Sequence, residues 1–455
     1  MRARALQVMA RGVRKLSRRV GRSGGTTLPG RLLLRADPGS LRTMGERLEA
    51  GSALVSATNG KTTTAAMVAA VLEQAERPLV HNRAGSNMSW GVATALLDAG
   101  RERGQLGLLE VDEAWLPRVA QALRPSVILL ANLFRDQLDR YGELETLADR
   151  WAEVVAAEAG RTRFVLNADD PLVADLGRGR EESVVYFGVN DTSEALSGLG
   201  HAADSKHCRN CGAAYLYETV LLGHLGHYRC PNCGRERPAP VVAAERVTLE
   251  GMSGAQLALS TPAGPLDLRL PLPGLYNVYN AVAATALALE LGASLDDVRE
   301  ALEGFGGAFG RVETIAVAGR PVSILLVKNP AGANEVLRTL TLEEGQIDLW
   351  LALNDKIADG RDVSWIWDAD FELLAGRVRH ATCSGTRAEE MALRLKYAGI
   401  EAELAVDRDL ERSLDAAVAA GRGDGRPLYA LPTYTAMLEL RDLLSDRGLV
   451  ARWAA

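Results

Sequence analysis

A chain of 455 residues, 47% hydrophobic and 24% charged, has the make-up of a soluble globular protein large enough for two or three domains. Its formal net charge of −6 excludes a generally basic nucleic-acid binder, although not a local basic patch. No stretch offers the eighteen or so consecutive apolar residues of a membrane span.

The first 35 residues hold ten Lys or Arg and no acid, with Leu6, Met9, Val13, Leu16 and Val20 among them at roughly helical spacing. Such an arm suits an anionic membrane surface, and equally a solvated basic tail. It lacks the apolar run of a signal peptide, which points to the cytoplasm. Gly and Pro pairs at 24–25, 29–30 and 38–39 mark loops, so 1–44 is expected to be a basic arm and loop. From 45 to 308 strands and helices alternate. Apolar runs predict strands at 53–56, 105–111, 126–131 and 163–167, and helices at 62–75 and 144–159. This pattern predicts a mostly parallel sheet covered on both faces, with ligands beyond the carboxyl ends of its strands. Near Ser193 it breaks into a four-cysteine stretch, expected as an insertion over 205–236. Strand-like segments at 241–249, 255–259 and 266–270 follow, then a helix over 276–291. The Gly-rich 304–310 is the expected hinge. A second alternation over 309–455, with SILLV, LWLAL, ATCSG and PLYAL and helices starting at Asn334, Arg387 and Thr435, predicts a smaller Rossmann-like α/β domain.

Between the first strand and its helix lies Thr58-Asn59-Gly60-Lys61-Thr62-Thr63-Thr64. Gly60-Lys61-Thr62 fits the end of a Walker phosphate loop, whereas Val55 stands where that pattern has its first Gly. In such a loop the backbone N–H groups and the helix dipole face phosphates, Lys61 reaches the β- and γ-phosphates, and the Thr62 hydroxyl holds Mg²⁺. An incidental turn is the other reading, but the strand–loop–helix setting makes Gly-Lys-Thr far more specific than the bare tripeptide. Polar clusters close the neighbouring strands: Glu110, Asp112 and Glu113, then Asn132, Arg135, Asp136, Gln137 and Asp139, then Asn167, Asp169 and Asp170. One acid alone would be a helix cap; three successive clusters suit a metal on the adjoining loop.

Cys208-x2-Cys211 and Cys230-x2-Cys233, separated by eighteen residues, have the spacing of a four-thiolate zinc site. Two disulfides or a redox pair are the alternatives, the first disfavoured without a secretory signal. Four thiolates leave no position for a catalytic water, so the zinc is expected to stabilise the insertion without touching the chemistry. His207, His224 and His227 are then bystanders, and Cys383 a buried strand residue.

Together these segments resemble the Mur ligase family, ATP-dependent enzymes that activate a carboxylate as an acyl phosphate for attack by an amine. TNGKTTT is similar to the family's phosphate loop, with Ala57 where Gly is usual. LLEVDE resembles the segment carrying its Mg²⁺-binding Glu, here Glu110. ANLFRDQLDRYGE resembles the segment that usually reads Asp-His-x-Asp, with Gln137 in place of the His. NVYNAVAA matches the segment whose Asn, here Asn280, contributes to adenine recognition. FGRVE resembles the interdomain Gly-Arg-x-Glu, whose Arg, here Arg311, meets the nucleotide phosphates. The resemblance implies a P-loop central ATPase domain with an inserted zinc ribbon, then a Rossmann-like domain. It implies ATP binding by Thr58, Asn59, Gly60, Lys61, Thr62, Thr63, Asn280 and Arg311. It also implies Mg²⁺ on Thr62 and Glu110, and catalysis by Lys61, Glu110 and Arg311.

The four-Cys ribbon, the RDQLD variant, the short segment ahead of the phosphate loop and the LLVKNPAGANEVL and LALNDKIADGRDVSWIWD segments resemble one branch of that family. Its members are ligase-like subunits that amidate the D-glutamate α-carboxylate of the lipid II stem peptide to D-isoglutamine in peptidoglycan synthesis. Ammonia comes from a separate, GatD-like glutaminase. With four cysteines assigned to zinc and Cys383 lacking a His or acid close in sequence, that division of labour is expected here too. Asp355 is the candidate for an Asp lent to the partner's Cys-His pair; a helix cap is its other reading. A lipid-linked substrate would give the basic arm a reason to contact the membrane, and nucleic acid is not an expected partner. An amino-acid-adding or folylpolyglutamate-type ligase, or a non-catalytic nucleotide-binding zinc-ribbon protein, are the alternatives.

Overall fold

Strands buried on both faces need helices above and below, and the apolar runs of this chain are arranged accordingly. The computed structural model describes residues 10, 27–82, 86–136, 144–200, 203–306, 312–421, 423 and 425–450. Six strands form a parallel series: β1 (Ser52–Ser56), β2 (Leu79–His81), β3 (Leu106–Glu110), β4 (Val127–Leu130), β5 (Arg163–Asn167) and β6 (Val184–Val189). After the hairpin of β7 (Leu216–Leu222) and β8 (Leu225–Arg229), the chain adds β9 (Val242–Leu249), β10 (Ala255–Thr261) and β11 (Gly264–Leu270). The nine-stranded sheet runs β11-β10-β9-β6-β5-β4-β1-β3-β2, with β9 parallel to β6 and the last two strands antiparallel. β1 lies between β3 and β4, in registers that pair Val55 with Glu110 and Ser56 with Leu130. Three carboxyl ends therefore open side by side.

One face of this sheet packs on the helices Lys61–Gln74, Leu275–Glu290 and Leu295–Glu303. The Ala-rich Leu275–Glu290 helix is buried from Leu275 to Ala288 save for Tyr276, its small side chains allowing close approach to the sheet. The other face carries Leu28–Ala36, Ser89–Ala95, Leu116–Leu123 and Leu144–Ala157, with Trp151 fully buried. β2 and β6 lie outside the sequence expectation. β2 is a three-residue edge strand, and β6 runs straight into the break that precedes the cysteines.

A second sheet, ordered β12-β13-β17-β14-β15-β16, is built from β12 (Val312–Val317), β13 (Arg320–Leu325), β14 (Ile347–Ala352), β15 (Val378–Ser384), β16 (Glu403–Val406) and β17 (Leu428–Pro432). All pairings but β12–β13 are parallel. Its helices include Pro330–Thr341, which begins three residues past the Val327 that follows β13, earlier than the expected Asn334. Among the described residues no helix is long and apolar enough to cross a membrane. Most of the expected hinge, together with Arg311, Gln137 and Asp139, lies outside the described residues.

Candidate active site

β1 ends at Ser56, and the chain turns through Thr58 to Gly60 before entering the Lys61–Gln74 helix. Gly60 has φ +82°, and a Cβ there would lie 2.0 Å from Asn280 Oδ1, so only Gly fits. Asn132, beyond β4, fixes the loop from the side: its Oδ1 accepts from Asn59 N at 2.9 Å and its Nδ2 donates to Asn59 O at 3.0 Å. Phe134 N donates to Thr58 Oγ1 at 3.1 Å. The helix N-terminus, the positive end of its dipole, thus points into the space beyond the sheet.

Lys61 is 8% exposed and donates to Ala57 O at 2.9 Å and Glu113 Oε2 at 3.2 Å. Burial works against its charge, but Glu113, Asp112, Glu110 and Asp136 outweigh it and hold the ammonium above its ordinary pKa. Thr62 Oγ1 donates to Glu110 Oε1 at 2.9 Å, and Asn87 Nδ2 donates to the same oxygen at 3.2 Å. Asn82 brackets the Glu110 backbone, accepting from its N at 2.9 Å and donating to its O at 2.8 Å. The hydroxyl and carboxylate oxygens of Thr62 and Glu110 form a hard-donor pair beside a lysine and a helix N-terminus. That is the donor chemistry Mg²⁺ takes alongside phosphates.

The third polar cluster is structural, contrary to expectation. Asp170 caps the Pro171–Ala174 helix and accepts from Leu133 N. Asp169 is tied to Tyr279 Oη at 2.7 Å and Arg237 Nε at 2.6 Å.

The second sheet contributes groups that sequence reasoning left without a role. Asn329 and Asn59 exchange side-chain hydrogen bonds of 2.9 and 3.3 Å. Lys328 donates to Thr58 O at 3.1 Å and to Asp136. Both lie in the LLVKNPAGANEVL segment, where a Lys-Asn-Pro after an apolar strand was the available signal. Asn280 accepts from Thr64 Oγ1 at 3.2 Å and lines a pocket next to Gly60 together with Tyr276, Phe134 and Glu335. Leu222 and Leu225 of the β7–β8 hairpin line it too. The tip of the insertion therefore borders this pocket, and His224, expected as a bystander to the zinc, is buried against Phe134 at a ring separation of 4.7 Å.

At the other end of the hairpin the four cysteine sulfurs all lie within 4.8 Å of one another. The contacts Cys208–Cys233 at 3.6 Å and Cys211–Cys230 at 3.4 Å exceed a disulfide bond of about 2.05 Å. They sit near the sulfur spacing of about 3.8 Å that a tetrahedral zinc with Zn–S of about 2.3 Å requires. Backbone N–H groups lower Cys211 and Cys233, the latter to about 6. Cys230 is pushed up to about 11 by desolvation and the neighbouring thiols, despite the Cys233 backbone N–H. The residues fit a four-thiolate metal.

Asp355 follows β14, away from these groups. It is about one-third exposed and accepts from Thr386 Oγ1 at 2.8 Å and Arg387 Nε at 2.9 Å. The Thr386 hydrogen bond, then Arg387, hold its carboxyl below the usual range.

Residues 55–288 match the model of the Mur ligase middle domain, and residues 326–437 that of the MurT ligase C-terminal domain. The MurT subunit of lipid II isoglutaminyl synthase (glutamine-hydrolyzing) from Staphylococcus aureus strain COL is 32% identical over 96% of this chain and 96% of its own length. This chain belongs to the MurT branch of the Mur ligases. The MurT subunit from Streptococcus pneumoniae R6 is likewise 32% identical, over 95% of each chain. Solved Mur-type structures share the fold. A pseudomurein peptide ligase type C from Methanothermus fervidus gives a TM-score of 0.66 at 21% identity, covering 89% of this chain and 80% of its own. Folylpolyglutamate synthase from Mycobacterium tuberculosis gives 0.60 at 17%, covering 92% and 98%. In this chain the tip of the four-cysteine hairpin and Lys328, which follows β13, line one pocket beside Gly60.

Proposed function

We propose that this chain is the ligase subunit that amidates the D-glutamate α-carboxylate of the lipid II stem peptide, yielding D-isoglutamine. The observation that carries this reading is its likeness to MurT subunits along nearly the whole chain. ATP phosphorylates the carboxylate; ammonia adds to the acyl phosphate carbon, loses a proton, and expels inorganic phosphate. The amide and ADP remain.

Phosphoryl transfer needs positioning and charge neutralisation more than covalent chemistry from the protein. Residues 60–63 offer backbone N–H groups to the phosphates, and Lys61 swings from Glu113 to the transferred group. Arg311 adds charge from the interdomain segment. Asn280 reads the base from the pocket it lines. Thr62 and Glu110 would hold Mg²⁺, which when bound would neutralise phosphate oxygens. Cys208, Cys211, Cys230 and Cys233 would hold a structural zinc.

Ammonia comes from a GatD-like partner. Cys383 is fully buried in β15 and desolvation pushes its thiol up to about 12, the reverse of an activated nucleophile. Asp355, about one-third exposed on the loop after β14 and held anionic by Thr386 and Arg387, would orient a histidine of the partner's active site.

The test is incubation with lipid II, ATP, Mg²⁺ and ammonium, followed by mass measurement. Amidation lowers the product mass by about one unit, whereas addition of an amino acid raises it far more. An unchanged mass, or a large gain with free amino acids, overturns the reading.

A further inference from the structure

The β7–β8 hairpin has two ends, and both touch something of consequence. Its base is the four-cysteine cluster, with Cys230 immediately after β8. Its tip, about 20 Å away along the seven-residue β7, is buried in the nucleotide-side core. Leu221, Leu222 and Leu225 are at most 5% exposed, and the last two line the pocket beside Gly60. Gly223, at φ +60°, lies so close to Phe134 that a Cβ would come within 2.8 Å of its ring. Phe134 is itself tied to Thr58 through its backbone N–H.

The tip also holds the other half of the molecule. Arg338, on the Pro330–Thr341 helix, donates to Leu221 O at 2.9 Å and to Glu194 O, just ahead of the ribbon, at 3.0 Å. The same guanidinium pairs with Glu335 at 3.1 Å, a buried carboxylate that lines the pocket. The hairpin thus spans from the metal cluster to the place where the first sheet, the second sheet and the pocket meet. A two-stranded hairpin is marginal on its own, so the position of its tip depends on what fixes its base.

We propose that the tip Leu221–Leu225 is a wall of the nucleotide site and, through Arg338, the clamp that holds the Pro330–Thr341 helix over it, so that metal at the four cysteines and nucleotide in the pocket stabilise each other. This rests on the nucleotide reading of the pocket given above. Coupling of this kind is reciprocal: a metal that raises nucleotide affinity by some factor is itself held more tightly by that factor when nucleotide is bound.

The experiment uses the full-length, zinc-loaded chain. Zinc retention against a competing chelator is measured with and without a non-hydrolysable ATP analogue and Mg²⁺, and analogue affinity is measured in parallel. Wild type is expected to retain zinc about tenfold more tightly with the analogue present. Leu222→Ala and Arg338→Ala are expected to keep all four thiolate ligands and bind zinc, yet weaken the analogue and abolish its effect on zinc. A general stabilisation of the folded chain would leave that effect intact in both variants, and would overturn the proposal. So would zinc retention indifferent to bound analogue, or an analogue affinity that is the same in a chain that holds no zinc. Failure of the loaded wild type to bind any analogue would instead refute the nucleotide reading itself.

Discussion

Glu110 gains its reach from three neighbours. Asn82 holds its backbone from both sides, Thr62 and Asn87 hold one carboxylate oxygen, and the β1–β3 register puts it one strand from the loop. Glu110→Gln keeps these shapes but removes the negative charge that the Thr62–Glu110 pair offers a divalent cation. ADP release in the presence of lipid II should fall by about a hundredfold or more, with the fold intact by circular dichroism. Asp355 makes the opposite kind of prediction, because its side-chain partners Thr386 and Arg387 lie after β15 and not on the phosphate loop. Asp355→Asn should cut glutamine-driven amidation by the glutaminase-bound enzyme at least about tenfold, and leave ammonium-driven amidation unchanged. Equal loss with both nitrogen sources would place Asp355 in the ligase chemistry; full glutamine-dependent activity would remove it from either.

At the scale of elements, β14 is pinned by a buried ion cluster. Asp348 is 2% exposed and accepts from Arg320 on β13 and from Arg379 and His380 on β15. Arg320 is 3% exposed and also donates to Ala417 O at 2.7 Å and Arg426 O at 3.0 Å. Burial opposes ionisation of Asp348, but the hydrogen bonds from Arg379, Arg320 and His380 win and lower its pKa to about 2. Because the folded value is depressed below the unfolded one of about 3.9, the stabilisation is complete above that pH and is lost as pH falls towards 2. Asp348→Asn leaves Arg320 buried without its counter-charge, at a cost of about 3 kcal/mol. Urea midpoints for wild type and variant, measured from pH 7 down to 3, should converge as the wild type loses the same interaction; a constant gap would argue against it.

Strands of this kind were legible in the chain because both faces are buried, which makes them continuous apolar runs bounded by polar ends. The short edge strand β2 and the interrupted β6 were not. The same limit applied to the ribbon. Cysteine spacing is local and announced a metal site, but the meeting of Leu222 and Leu225 with Glu335 is a contact between segments more than a hundred residues apart. No periodicity carries that information. Asn87 and Lys328 escaped notice for the same reason, whereas Lys61, Thr62 and Glu110 sit at ends of predicted strands or helices, where position alone suggested a role.

For the molecule as a whole, the remaining question is how a site between two sheets meets a substrate with a lipid tail. The helix Leu28–Ala36 is fastened to the first sheet's outer face: Leu33 is buried, and Gly30 N donates to Thr94 Oγ1 at 3.0 Å. Its other side presents Leu28 and Leu32, 45% and 46% exposed, together with the exposed Arg31 and Arg35. Arg31 lies 5.4 Å from the Trp90 ring, on the helix that follows the Asn87 side of the Glu110 cluster. Eight further Lys or Arg precede this helix in residues 1–26. Each cation near an anionic surface contributes about 1 kcal/mol at modest salt, and two leucines a helical turn apart add a shallow apolar contact. The full-length chain should therefore sediment with vesicles containing phosphatidylglycerol, but not with purely zwitterionic ones. Binding should weaken as salt shortens the screening length from about 10 Å at 0.1 M to about 3 Å at 1 M. Removing residues 1–26 should abolish most of it, and Leu28→Ser with Leu32→Ser should reduce what is left at high salt, where only the apolar contact persists. Vesicle binding unchanged by the truncation would show that the basic arm is a solvated tail, and that the substrate is brought to the site by its head alone.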